Sequence, residues 1–128
     1  MNDIYKQKME RLKEQARIKA QRLRWMENEL LQECLSALNT YVIVDDENLM
    51  NKVFDIASNK KDVEMHSHKD EVLLDDEQKY YIVWDELSLP LVLCLGERIN
   101  NCWDDVMAVS FDTYFVNESM TEAIGVRN

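Results

Sequence analysis

The sequence predicts an α+β fold in which a long amphipathic N-terminal helix leads into a small domain with an antiparallel sheet and one or two short helices. Three observations carry that expectation. Between Asp3 and Leu38 there is no glycine or proline, and good helix formers dominate. Short β-branched, aromatic or aliphatic runs recur at Tyr41–Val44, Lys79–Trp84 and Leu89–Gly96. Between the first two runs, Leu49, Met50, Val53, Phe54 and Ala57 have helical spacing.

The first element reads as one helix from Asp3 to about Leu38, about 54 Å long. Tyr5, Met9, Leu12, Ala16, Leu23, Met26 and Leu30 occupy alternating a and d positions of a heptad frame, with Lys19 as the one charged intruder. Leu31, Cys34, Leu35 and Leu38 form a second apolar patch suited to docking on the rest of the chain. These patterns divide the chain into a basic, coiled-coil-like arm (residues 1–38) and an acidic α+β domain (residues 39–128).

Asn39 and Thr40 end the helical pattern, and Tyr41–Val44 reads as a short strand. Asp45, Asp46 or Asn48 caps a helix that ends near Ser58. The polar stretch from Asn59 to Asp70 reads as a loop, and the segments Glu71–Leu74 and Lys79–Trp84 flank Asp75, Asp76, Glu77 and Gln78 as a hairpin. The run "LPLVLCLG" is apolar on both faces, as a strand inside a sheet must be. In "ERINNCWDDVMAVSFDTYFV", Ile99, Cys102, Trp103 and Val106 fit a helix, whereas Val106, Ala108 and Ser110 alternate as in a strand. A short helix to about Asp105 followed by a strand is expected, with the tail from Glu118 frayed or forming a last short helix.

Charge is distributed unevenly. The formal net charge is −10, yet residues 1–24 hold eight Lys and Arg against three acids, and the remainder holds seven against twenty-two. Only two glycines and one proline leave little material for the Gly-rich loops of nucleotide enzymes. The uncharged run Leu87–Gly96 covers ten residues, about half of what a membrane-spanning helix requires. No apolar signal region follows Met1, so a cytoplasmic location is the default expectation and no membrane partner is foreseen. Cys34, Cys94 and Cys102 are odd in number and widely spaced, which indicates neither a disulfide framework nor a zinc site.

Candidate chemistry is sparse. In "EMHSHKDE", His66 and His68 would share one face of a strand and, with Glu64 or Asp70, reach a divalent cation. The same residues beside Lys69 also read as a solvated loop, and no third ligand at catalytic-zinc spacing is recognisable. The acid doublets Asp45-Asp46, Asp75-Asp76, Asp85-Glu86 and Asp104-Asp105 are too many for one tuned catalytic pair and look like a surface property. Neither an enzyme nor a metal or other cofactor is expected. A cysteine nucleophile would need His66 or His68 brought to it, and the apolar settings of Cys94 and Cys102 suit packing instead.

The basic helix is the feature that calls for a partner. Cations in the first turns of a helix oppose its macrodipole, so a negative partner would relieve the conflict. Arg11, Arg17, Arg22 and Arg24 offer phosphate contacts, but the acidic remainder would repel a nucleic acid, which ranks that partner behind a protein. A second helix is another candidate. In an antiparallel pair formed through residues 3–38, Lys13 opposes Glu27 and Lys8 approaches Glu29.

Size, acidity and aromatic content together resemble those of small inhibitors, immunity-type proteins included. The expected function is a non-enzymatic protein-binding module that neutralises a basic nucleic-acid-acting partner: a toxin, nuclease or defence enzyme. Its contacts would come from Asp45, Asp46, Glu47, Asp75, Asp76, Glu77, Asp85, Glu86, Asp104 and Asp105, with Trp84 and Trp103 as anchors. The alternative is a coiled-coil structural or regulatory protein that self-assembles, or binds nucleic acid, through the basic helix.

Overall fold

The computed structural model describes residues 2–59, 63–67, 72–86 and 88–127. The long N-terminal helix is present, but it is two helices: α1 (Asn2–Glu27) and α2 (Glu29–Leu38). Helix propensity alone gives no reason to stop between them. The break is set by Asn28, whose backbone is extended (φ −82°, ψ 101°) and whose side chain accepts the Leu31 N–H at 3.0 Å as the cap of α2. The freed Trp25 carbonyl accepts from Asn28 N–H at 3.2 Å and from Gln32 Nε2 at 2.9 Å. Redirecting the chain here lets Leu31, Cys34, Leu35 and Leu38 enter the core, each at most 6% exposed. α2 ends at Asn39, whose positive φ (φ 65°, ψ −44°) turns the chain: its N–H goes to the Leu35 carbonyl at 3.0 Å and the Thr40 N–H to the Leu38 carbonyl at 2.7 Å.

The elements that follow are β1 (Val42–Val44), α3 (Glu47–Ser58), β2 (Glu64–Ser67), β3 (Lys79–Trp84), β4 (Leu91–Leu95), α4 (Gly96–Asn101), α5 (Trp103–Met107), β5 (Asp112–Asn117) and β6 (Ala123–Arg127). Of the three candidate caps Asp45, Asp46 and Asn48, it is Asp46 that caps α3, accepting the Leu49 N–H at 3.2 Å. The strands form one sheet in the order β1-β4-β3-β5-β6-β2, antiparallel throughout except for the parallel pair β2 and β6.

Three expectations are corrected. Lys79–Trp84 does not form a hairpin with residues 72–74: its two edges are taken by β4 and β5. The backbone of Leu74 is satisfied instead by the Asn100 side chain, which accepts its N–H at 3.1 Å and donates to its carbonyl at 2.7 Å. The Asn59–Asp70 stretch contains the edge strand β2, polar because one side of it has no neighbour. The tail is neither frayed nor helical. The Asn117 side chain accepts the N–H groups of Thr121 and Glu122, both at 2.9 Å, and folds the chain back into β6.

The sheet is covered on both faces. Against one face, Tyr80, Ile82, Trp84, Val92, Cys94, Phe115 and Val126 pack with α2, α4 and α5. Against the other, Val44, Tyr81, Val83, Leu91 and Val116 pack with Val53 and Ala57 of α3. This is why β4 reads as apolar on both faces, and why β3, read as a hairpin strand, is buried on both faces too. Phe115 is fully buried and stacks on Trp103 with ring centroids 5.4 Å apart. Residues 3–20 of α1 are exposed throughout. The arm is tied to the body by Trp25, which packs against the first core and donates its indole N–H to the Ser88 carbonyl. Among the described residues, no helix is long and apolar enough to cross a membrane.

Candidate functional site

Strand register gathers the acidic segments that are far apart in sequence. Val44 pairs with Leu91, Trp84 with Thr113, and Arg127 with both Asp112 and Ser67. β1, β3, β6 and β2 therefore finish at the end of the sheet where β4 and β5 begin. Asp45, Asp46 and Glu47 follow β1 there, Asp85 and Glu86 follow β3, and Asp112 opens β5. The first five are exposed, and Asp112 is buried.

Beside this end, between α3 and the sheet, lies a cleft of about 690 Å³. Phe54, Ala57, Val63, Met65, Val83 and Tyr114 give it an apolar lining, and Asp85, Glu86, Asp112 and Arg127 a charged one. The Arg127 guanidinium donates to Asp112 at 3.2 Å through Nε and at 3.5 Å through Nη2, joining the last strand to β5. The acidic turn above them is held by its backbone: Asp85 N–H donates to the Asp112 carbonyl at 3.0 Å, and Glu86 N–H to the Trp84 carbonyl at 2.8 Å. Among the described residues, neither the Asp85 nor the Glu86 carboxylate is in an ion pair. Desolvation pushes the Tyr114 phenol above its ordinary titration range, reinforced by the charges of Asp112 and Asp85 and opposed by Arg127. It remains a protonated donor beside two carboxylates at neutral pH.

The remaining acids lie elsewhere. Asp75, Asp76 and Glu77 form the turn at the opposite end of β3. Asp75 accepts the Glu77 N–H at 3.0 Å and Gln78 Nε2 at 3.2 Å, while Asp76 accepts Asn100 Nδ2 at 2.9 Å, so two of these three carboxylates shape the turn. Asp104 and Asp105 are exposed on α5. Trp84, expected as an anchor for a partner, is a core residue, 4% exposed, with its indole N–H on the Val106 carbonyl at 3.1 Å. Trp103 is half-buried by its stacking on Phe115.

Sequence reading missed Phe54, Met65, Asp112, Tyr114 and Arg127 as members of one site. Asp112 is a single acid among apolar neighbours, and only the β5–β6 register brings Arg127 to it.

Arg11, Arg17, Arg22 and Arg24 are exposed on α1. Arg17 pairs with Glu14, whose carboxylate is thereby held below its ordinary range, and Glu47 of the body adds a weaker attraction on Arg17. Of the metal candidates, His66 Nε2 lies 3.8 Å from Glu64 Oε1, while His68 and Asp70 fall outside the described residues. Among the described residues, no three His, Cys, Asp or Glu side chains are grouped to hold a metal ion.

The thiols are free. Burial pushes Cys34 up to about 12 and raises Cys94 and Cys102 as well, the opposite of what a nucleophile needs. Cys94 and Cys102 instead donate to the carbonyls of Thr40 at 3.3 Å and Ala37 at 3.2 Å. At pH 8, iodoacetamide should leave Cys34 unlabelled until the protein unfolds, a result that mass spectrometry of the intact and denatured chain will read. An unfolded thiol titrates near 9.0 and the folded Cys34 near 12, so its stabilising contribution is complete below pH 9 and is lost as pH rises toward 12.

A family model described as "CdiI immunity protein EcoliA0-like" matches residues 28–126, from the cap of α2 into β6. No curated protein and no solved structure gives a match.

Proposed function

Because the chain belongs to the CdiI immunity protein family, EcoliA0-like, we propose that it neutralises a toxin by binding it with the acidic end of its sheet, and that the toxin is a basic, nucleic-acid-acting protein. The observation that carries the reading is the pairing of two unneutralised carboxylates, Asp85 and Glu86, with a partly apolar cleft. Field and shape then do different things. The exposed carboxylates that follow β1 and β3 make a negative patch that speeds encounter with a cationic surface and disfavours wrong partners. The cleft lined by Phe54, Met65 and Tyr114 gives such a partner an apolar recess for an anchoring side chain.

On this reading Asp45, Asp46, Glu47, Asp85 and Glu86 meet the toxin, and Asp104 and Asp105 add to the field from α5. Inhibition is by occupation: a nuclease whose phosphate-binding surface is covered by carboxylates has no access to its substrate, and the immunity protein itself performs no chemistry. Cytoplasm is the proposed meeting place, in keeping with three unpaired thiols.

The test is affinity purification of the tagged protein from its own cell at low salt, with and without nuclease, followed by mass spectrometry. The expected result is one basic protein in near-equal amount under both conditions. Its association rate should fall by about tenfold or more between low and physiological salt. Recovery of nucleic acid alone, removed by nuclease, would overturn the proposal.

A further inference from the structure

We infer that α1 is a dimerisation arm, which pairs antiparallel with α1 of a second copy of this chain. The body leaves the heptad seam untouched. Trp25, which faces the body, lies well round the helix from the seam, where Tyr5 is 65% exposed, Leu12 50%, Leu23 51% and Met26 70%. A solitary helix that keeps such a stripe in water lacks the tertiary packing from which most helical stability comes. α1 lies wholly outside the matched family segment, residues 28–126. Its surface therefore need not serve the toxin.

Charge selects the occupant and the direction. Placing Leu12 opposite the partner's Leu23 and Met9 opposite the partner's Met26 fills the seam with the leucines and methionines of α1. The same register sets Lys6 against the partner's Glu27 at both ends of the pair. Because α1 stops at Glu27, this register replaces the one that a single continuous helix suggests, with Lys13 facing Glu27. A parallel pair would set Lys8 against the partner's Lys13. At the centre Ala16 meets the partner's Lys19, whose aliphatic stem crosses the small alanine while its ammonium reaches water. That layer limits affinity, and a dissociation constant on the order of micromolar follows.

Analytical ultracentrifugation of the full chain, from about one to a few hundred micromolar, tests the pairing. The wild type should show a monomer–dimer equilibrium. Leu12→Glu or Leu23→Glu should leave monomer at every concentration, and Lys19→Leu should tighten the dimer by about tenfold. Lys6→Glu and Glu27→Lys should each weaken it about threefold to tenfold, and the two combined should restore it. Both reversals suit the helix macrodipole, so loss of the dimer cannot be blamed on a melted arm, and circular dichroism checks this directly. A strict monomer at the highest concentration would overturn the inference. So would a dimer indifferent to Leu12→Glu and Leu23→Glu, or charge reversals that fail to compensate.

Discussion

Replacing Asp85 and Glu86 together by lysine is expected to abolish protection against the cognate toxin while leaving the protein folded. Both side chains are exposed, and their turn is held by backbone hydrogen bonds to Asp112 and Trp84, which the replacement keeps. Exposed substitutions of this kind shift stability by only about 0.5 kcal/mol. The interface effect is far larger. Close interfacial charge pairs cost about 2–5 kcal/mol each when one partner is removed, and a reversal adds repulsion. A loss of affinity of at least about 1,000-fold is expected, measured by calorimetry against the purified toxin and by growth of cells that express it. Asp104→Lys with Asp105→Lys changes net charge equally from α5 and should cost about tenfold, mostly in the association rate. Equal effects from the two double variants would mean that total charge, not the end of the sheet, determines binding.

Gly96→Ala is expected to be the most damaging single-methyl change in the fold. A Cβ at this position would lie 2.0 Å from the Asp75 carbonyl oxygen and 3.1 Å from the Gln78 carbonyl oxygen. The second carbonyl already accepts the Gly96 N–H at 2.7 Å, so the turn and the start of α4 are locked together at close approach. Backbone atoms cannot rotate out of the way as a side chain does. A loss of about 3 kcal/mol or more should follow, seen as a fall of roughly 10 °C or more in the melting temperature by circular dichroism. Gly125→Ala provides the contrast. Its Cβ would meet Met65 Sδ at 2.2 Å, the flexible end of a methionine, and a loss of about 1 kcal/mol is expected. A melting temperature for Gly96→Ala within a few degrees of wild type would show that the turn can open without cost.

Local chemistry was legible in the sequence wherever it was strong. The periodicity of α3, with its cap among Asp45, Asp46 and Asn48, and the two-sided apolar character of β4 are each evident within a dozen residues. The failures share a cause: they are decided by partners distant in the chain. Nothing near Asn28 forbids a continuous helix, and it breaks because the residues after it are needed in the core. Val72–Leu74 has the composition of a strand, yet Asn100 satisfies the Leu74 backbone from α4. The acid clusters were visible from the start. Which of them converge depended on the β1–β4, β3–β5 and β5–β6 registers, and the lone Asp112 carried no signal until Arg127 was placed beside it.

In the monomer the arm gives the molecule a permanent electric moment, which an antiparallel pair of arms would cancel along their axis. Residues 1–24 carry a net positive charge and the remainder a larger negative one, and the helix holds the two centres apart along its axis. A cationic protein approaching from several Debye lengths exerts little pull, but within about 10 Å its field also exerts a torque. That torque turns the arm away and the acidic body inward before any contact forms. Misaligned collisions are thus corrected during approach, and a shortened arm would lose this orientation even with every contact residue in place.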